Sequence, residues 1–212
     1  MLHRESINNK VLELICNLQE ESYFQDFFLV GGTGLALQIG HRKSDDIDLF
    51  TTTDFDQEDL LERLESDFGF SMDYIENNTL KGSIDDVKVD LLSHKYQLIL
   101  PVSEIEDVRI ASVQDISAMK INAISNDGTR VKDFIDIYFL LQEFSISQLL
   151  ENYKTKYELR NALHALKSLN YYDEVDTVVW PDMIKEKGLT WKQVTNKIDS
   201  ALNRYFKSLE NT

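Results

Sequence analysis

Residues 27–50, FFLVGGTGLALQIGHRKSDDIDLF, decide the fold that we predict for this chain. The stretch opens with four apolar residues, which is typical of a buried strand. Gly31 and Gly32 follow, and glycine lets the backbone turn tightly and approach a ligand closely. Thr33 is expected to cap the next helix, which Gly40 is expected to end. The local pattern therefore predicts a strand, a glycine turn and a short helix.

The same stretch closes with two carboxylates, Asp46 and Asp48, on a predicted second strand. Residues two apart on a strand point to the same face, so the two charges repel unless a cation or water separates them. Mg²⁺ (or Mn²⁺) takes oxygen ligands and commonly shares them with phosphates, and N–H groups at a helix N-terminus bind anions. Together these features predict phosphoryl or nucleotidyl transfer from a nucleoside triphosphate (NTP). The alternative is an ordinary βαβ turn followed by an acidic surface strand.

The loop before these carboxylates adds Arg42 and Ser44 to the candidate nucleotide-binding residues. Both are placed to contact the terminal phosphate, while the backbone N–H groups of Gly31, Gly32 and Thr33 are expected to hold the triphosphate. Arg42 is equally well interpreted as a solvated loop cation.

Two blocks of sequence carry a resemblance to a known family. The first joins GGTGLAL at 31–37 to HRKSDDIDLF at 41–50, and the second joins KINAIS at 120–125 to KDFIDIY at 132–138. They resemble the AbiEii-type nucleotidyltransferases, a bacterial branch of the DNA polymerase β-like superfamily. Many members of that family are toxins of toxin–antitoxin pairs. The resemblance implies a Mg²⁺-dependent enzyme that uses NTP and has an antitoxin as partner.

The resemblance also implies site residues outside the first stretch. A third metal carboxylate is expected at Asp90, and an active-site lysine and aspartate at Lys120 and Asp133. A lysine near a triphosphate can neutralise charge that develops during transfer. From the residues alone, Asp90 is also interpretable as an exposed strand aspartate paired with Lys88. Lys120 and Asp133 are likewise interpretable as a salt bridge between two helices, with Asp136 on the same helix face.

The fold class that we predict is α/β (α+β), with a mixed sheet, flanking helices and a helical C-terminal half. Residues 1–100 are assigned to the nucleotidyltransferase core, and residues 101–212 to a helical region that contributes to the active site. Residues 98–109 show little pattern and are expected to be a linker, except for a short strand near their end. Helices are expected at 158–169 and at 190–209, the latter with Phe206 in an apolar core stripe.

The chain has 212 residues and a formal net charge of −15. This acidity disfavours a wide nucleic-acid surface and suits a small substrate, a brief encounter with an RNA end, or a basic protein partner. No apolar run is long enough for a membrane span, no signal peptide is expected, and the single cysteine, Cys16, suits a reducing cytoplasm.

Three functions compete at this point. The first is a toxin-type nucleotidyltransferase that modifies an RNA, with tRNA foremost, or a protein. The second is a small-molecule nucleotidyltransferase of the antibiotic-modifying type, which the acidity favours slightly. The third is a non-catalytic nucleotide-binding protein that acts through a partner, and the joint presence of Asp46, Asp48, Lys120 and Asp133 argues against it.

Overall fold

The computed structural model describes residues 1–210 and contains, within them, a seven-stranded sheet and eight α-helices. The strands are β1 Phe28–Leu29, β2 Ile47–Thr51, β3 Ser71–Glu76, β4 Thr79–Ile84, β5 Val87–Ser93, β6 Ser103–Ile105 and β7 Val108–Ile110. The helices are α1 Asn9–Glu20, α2 Gly31–Ile39, α3 Gln57–Phe68, α4 Val113–Asn126, α5 Val131–Glu143, α6 Ile146–Lys156, α7 Leu163–Ser168 and α8 Trp191–Glu210.

The sheet belongs to the first of two compact units, Met1–Ser112, and has the strand order β3-β4-β5-β2-β1-β7-β6. Strands β2 and β5 are parallel, as are β1 and β7, while the remaining neighbours are antiparallel. The mixed sheet with flanking helices confirms the predicted fold class.

One face of the sheet carries the core of this unit. Helix α1 packs on β7, and α3 packs on β3 and β4. Leu49 on β2 and Leu91 on β5 are register partners and are fully buried in this core. Because side chains alternate along a strand, Asp48 and Asp90, which precede these leucines, lie on the opposite face.

Local residue chemistry explains several boundaries of the elements. Asp56 caps α3 by accepting hydrogen bonds from the N–H groups two and three residues later. Gly69 ends α3 in the left-handed region, with φ of 65°. Asn77 and Asn78, with φ of 46° and 58°, form the turn between β3 and β4. These positions depend on residues close in sequence.

The expected linker at 98–109 is instead largely a hairpin made of β6 and β7. Strand β7 adds to the sheet beside β1, where Leu29 pairs with Ile110. The short strand expected near the end of this segment is β7, whereas β6 was not expected. The pairing of β7 with β1 joins residues about eighty positions apart, so no local pattern predicted its place in the sheet. The first compact unit accordingly runs to Ser112.

The second compact unit begins at Val113 and is helical. Helix α4 packs on α5, α6 and α7, and α8 packs on α5 and α6. Phe134, Tyr172 and Trp191 form an aromatic cluster with ring centroids 5.6–5.7 Å apart and edge-to-face geometry.

Two expectations for this unit were wrong. Only Leu163–Ser168 of the helix expected at 158–169 is helical, and residues 158–162 before it are irregular. Phe206 is 45% exposed and lies outside the core stripe of α8, which consists of Val194, Ile198, Ala201 and Leu202. Helical spacing alone does not show how far along a helix its packing partner extends.

Among residues 1–210, no helix has the length and apolar character needed to cross a membrane.

Candidate active site

The glycine turn and the Asp48 carboxylate lie directly against each other. The antiparallel pair β1–β2 sets this position, since the N–H of Val30 donates to the carbonyl of Asp48 at 2.9 Å. Gly31 follows with φ of 67°, and a Cβ atom built on it would lie only 1.9 Å from Oδ2 of Asp48. Gly31 is therefore required for its backbone conformation and for the space that the carboxylate occupies.

The N-terminus of α2 offers backbone donors at the same place. Its first intrahelical hydrogen bond runs from the N–H of Gly34 to the carbonyl of Val30, at 2.9 Å. The N–H groups of Gly31, Gly32 and Thr33 precede that bond and lie in the first turn, where anions are stabilised. The predicted phosphate-binding donors are thus beside the predicted metal-binding carboxylate.

Thr33 does not cap α2 as expected, because the helix already begins at Gly31 and its N-cap is Val30. The buried Thr33 hydroxyl instead donates to the carbonyl of Asp46 at 2.5 Å and lies 3.0 Å from Oγ of Ser44. It ties α2 to the loop before β2, so only its backbone N–H is predicted to meet phosphate.

Arg42 is 2% exposed, which excludes the interpretation as a solvated loop cation. Its Nη1 donates to the carbonyl of Lys43 at 3.0 Å. A Cβ atom built on Gly32 would lie 2.6 Å from Nη2 of Arg42 and 3.1 Å from Oγ of Ser44. The guanidinium and the serine hydroxyl thus pack against the second glycine of the turn. Their contact with nucleotide stays a prediction.

The three predicted metal carboxylates differ in exposure. Asp46 is exposed and stands just before β2, which begins at Ile47. Asp48 is half-buried within β2, and Asp90 on β5 is its register partner across the parallel pair. Partners in adjacent strands project to the same face, so β2 and β5 bring Asp48 and Asp90 side by side.

Asp90 is buried rather than exposed, with 8% of its surface accessible. Nζ of Lys88 lies 3.2 Å from its Oδ2, as the alternative interpretation expected, and Nζ of Lys81 lies 3.5 Å from the same oxygen. Lys81 was not anticipated, because it is brought to Asp90 by the pairing of β4 with β5. Oδ1 of Asp90 is buried and has no hydrogen-bond partner among residues 1–210.

Across the described chain, no three His, Cys, Asp or Glu side chains are grouped closely enough to hold a metal ion by themselves. Mg²⁺ rarely needs such a cage, since one or two carboxylates with substrate phosphates and water commonly complete its octahedron. The hard oxygen donors of Asp46, Asp48 and Asp90, including the unpartnered Oδ1, fit that mode of binding.

In the second unit, Lys120 on α4 is held by two carboxylates of α5. Its Nζ lies 2.7 Å from Oδ1 of Asp133 and 2.7 Å from Oδ2 of Asp136. All three residues are buried, with 6%, 1% and 0% exposed. Arg130 approaches Oδ2 of Asp133 at 3.8 Å. The interhelical salt bridge is therefore confirmed, and the active-site role of Lys120 and Asp133 stays a prediction.

A second buried ion pair joins α4 to α6 and was missed from the sequence. Nζ of Lys156 lies 2.8 Å from Oδ1 of Asp115, and the two side chains are 1% and 0% exposed. Asp115 stands in the first turn of its helix, where an acidic residue is common, so it gave no signal of burial. The partners are 41 residues apart.

Comparison with known proteins adds a family and a fold. A sequence profile described as "Nucleotidyl transferase AbiEii toxin, Type IV TA system" matches residues 13–206. An uncharacterised protein of Aquifex aeolicus (strain VF5) is 31% identical over 186 residues, covering 85% of this chain and 86% of that protein.

Two solved structures share the fold at low sequence identity. JHP933 from Helicobacter pylori has a TM-score of 0.53 and 17% identity, covering 97% of this chain and 96% of its own. MenT4, a nucleotidyltransferase toxin from Mycobacterium tuberculosis H37Rv, has a TM-score of 0.57 and 12% identity, covering 89% and 79%.

Proposed function

Because this chain belongs to the AbiEii nucleotidyltransferase toxin family and is a nucleotidyltransferase, we propose that it transfers a nucleoside monophosphate from an NTP to an RNA acceptor, with tRNA foremost. The observation that carries the proposal is the contact between the Asp48 carboxylate and the Gly31 turn at the N-terminus of α2. It supports one site for phosphate and for a cation that neutralises phosphate.

The proposed roles follow from the positions of the donors. The N–H groups of Gly31, Gly32 and Thr33 bind triphosphate oxygens at the start of α2. Asp46 and Asp48 hold Mg²⁺ (or Mn²⁺), and Asp90 joins them from the neighbouring strand. When bound, the ion supplies charge neutralisation at the phosphates and lowers the pKa of an oxygen nucleophile.

The reaction forms a bond between an acceptor oxygen and the α-phosphorus. It breaks the bond from that phosphorus to the bridging oxygen, and pyrophosphate leaves. Arg42 and Ser44, packed behind Gly32, keep the turn in position and are proposed as further nucleotide-binding residues. In the second unit, Lys120 and Asp133 are proposed as active-site residues on the family resemblance.

The family description supports an antitoxin as the biological partner, since it assigns these toxins to toxin–antitoxin systems. We place the reaction in the cytoplasm, where NTP and tRNA are available. Expression without the antitoxin is expected to arrest growth, and Asp48→Asn is expected to relieve the arrest at equal protein level.

A label-transfer assay tests the proposal. The purified chain is incubated with Mg²⁺, each α-labelled NTP in turn and total RNA. The double variant Asp46→Asn/Asp48→Asn is expected to lose transfer. The control Asp85→Asn/Asp86→Asn removes the same charge from the turn between β4 and β5, where asparagine also accepts positive φ, and is expected to retain transfer.

The acceptor is identified by where the label appears. Label on RNA supports the proposal and names the nucleotide. Label on protein would show that the acceptor is a protein rather than an RNA. NTP binding without transfer to either would favour a small-molecule acceptor, and absence of NTP binding would contradict the proposed site altogether.

A further inference from the structure

Asp90 lies between a lysine and an aspartate at one level of the sheet. Lys81 on β4 is its register partner on one side, and Asp48 on β2 is its partner on the other. Lys88 stands two residues before Asp90 on β5 and so projects to the same face. The row therefore places one lysine beside two adjacent carboxylates at the edge of the proposed metal site, and Lys88 adds a second cation next to Asp90.

The two oxygens of Asp90 have different surroundings in this arrangement. Oδ2 is within 3.2 Å of the Lys88 ammonium and 3.5 Å of the Lys81 ammonium. Oδ1 is covered from solvent and lacks a hydrogen-bond partner among the described residues. Burying a carboxylate oxygen that has no hydrogen-bond donor costs free energy. This cost indicates that a ligand contacts Oδ1 of Asp90 during function.

Charge explains why two lysines are present. Asp48 and Asp90 are directly opposed on neighbouring strands, and like charges at such positions destabilise a sheet. Lys81 and Lys88 offset that repulsion when no cation is bound. Their side chains are 43% and 58% exposed, so the flexible stems can swing away without disturbing the core.

We propose that Lys81 and Lys88 hold the Asp90 carboxylate in ion pairs that keep the metal from it in the free enzyme. They release the carboxylate to the metal when the metal–nucleotide complex enters, and their ammonium groups then pair with the triphosphate. This inference rests on the proposed function, because it assigns Asp90 to the same metal and nucleotide.

This exchange of partners at Asp90 predicts that removing a lysine changes the affinities for two ligands in opposite directions. A lysine beside Asp90 repels a free divalent cation and competes with it, so its removal should strengthen metal binding without nucleotide. The same lysine attracts triphosphate, so its removal should weaken binding of the metal–nucleotide complex. A lysine with a purely structural role would shift both affinities in the same direction or neither.

The test uses the full chain and the variants Lys88→Gln and Lys81→Gln. Binding of Mn²⁺ alone is measured from the free-ion signal in electron paramagnetic resonance. Binding of Mn²⁺ with a non-hydrolysable ATP analogue is measured by calorimetry. For each variant we expect Mn²⁺ affinity to rise about three- to tenfold and nucleotide affinity to fall by a similar factor, the size set by one charge near 4 Å in a solvated site.

Lys10→Gln on α1 is the matched control, since it removes one exposed charge elsewhere in the same unit and should change neither affinity. Lys88→Arg keeps the positive charge and is expected to keep both affinities at their wild-type values. Unchanged or parallel shifts in both lysine variants would overturn this inference alone. A wild type that fails to bind the Mn²⁺–nucleotide complex would overturn the proposed function, and this inference with it.

Discussion

Gly31 has two roles, one in the backbone conformation of the turn and one in leaving space for the Asp48 carboxylate, and substitutions can distinguish them. Alanine there must adopt a φ of 67°, which costs an L-residue about 1–2 kcal/mol, and its Cβ would displace the Asp48 carboxylate. We expect Gly31→Ala to lower nucleotidyl transfer about 100-fold, because a misplacement of about 1 Å at a reacting centre has effects of that size. Transfer rates and urea unfolding measure the two consequences.

Gly69 provides the matched control. It has nearly the same φ, 65°, but a Cβ there meets nothing within 4 Å. Gly69→Ala is expected to lose a similar free energy of unfolding, about 1–2 kcal/mol, and to retain transfer. If both variants lose transfer equally, backbone strain rather than the contact with Asp48 determines activity.

Single residues were predictable where their role depends on near neighbours. The glycine turn and the spacing of Asp46 and Asp48 were visible in one stretch of sequence. Asp90 was identified by resemblance, and the pairing of β2 with β5 now explains its place beside Asp48. Lys81 could not be predicted, because its position relative to Asp90 depends on strand register.

The ion pair between Asp115 and Lys156 links helices α4 and α6 at a fully buried position. Removing one partner leaves the other charge buried without this ion pair, and breaking a buried pair typically costs about 3–5 kcal/mol. We therefore expect Asp115→Ala, or Lys156→Met alone, to lower the free energy of unfolding by that amount. Denaturation with urea, followed by helical circular dichroism, measures the loss.

The double variant Asp115→Leu/Lys156→Met tests the reason for that loss. If desolvation dominates, the double variant should be more stable than either single variant, because no charge remains buried. Lys154→Met is the surface control. It breaks the exposed ion pair with Glu151 and is expected to change stability by about 0–1 kcal/mol. Additive losses in the double variant would contradict this account.

A hydrogen bond to helix α8 should make the stability of the chain fall in alkali. Tyr172 donates to Oδ1 of Asp199 at 2.8 Å, and burial, followed by this bond, raises the pKa of the Tyr172 hydroxyl. The pKa of Tyr172 in the folded chain exceeds its value in the unfolded chain, which is near 10. The contribution of its neutral hydroxyl to the free energy of unfolding is therefore complete below about pH 10 and is lost as the pH rises further.

Tyr172→Phe keeps the ring beside Phe134 and Trp191 but removes the hydroxyl. We expect it to cost about 1 kcal/mol at pH 7 and to reduce the decline in stability above pH 10. Urea unfolding of both proteins at a series of pH values measures this. Parallel pH profiles for variant and wild type would show that another group causes the decline.

Elements were predictable when their signals were local. The turn at Asn77–Asn78 and the end of α3 at Gly69 depend on turn-forming residues at those positions. Strand β7 was expected as a short strand, but its place beside β1 was not, because that pairing partner is distant in sequence. Strand β6 was missed. The buried ion pair between Asp115 and Lys156 shows the same limit, since charged residues within helical patterns are usually solvated.

At the scale of the whole molecule, the net charge of −15 predicts an unusual salt dependence. A protein that neutralises six to ten phosphates loses about 10³–10⁵ in affinity between about 50 and 200 mM salt. An acidic enzyme that meets only the end of an RNA makes few such contacts, and salt also screens its long-range repulsion of the acceptor. We therefore expect kcat/KM for the RNA acceptor to change less than about tenfold over that range.

Initial rates of label transfer at subsaturating RNA, with NTP held saturating, measure this quantity. A steep fall with salt would instead indicate a basic surface that tracks the RNA backbone, and would assign the acceptor contact to clustered lysines and arginines despite the overall acidity.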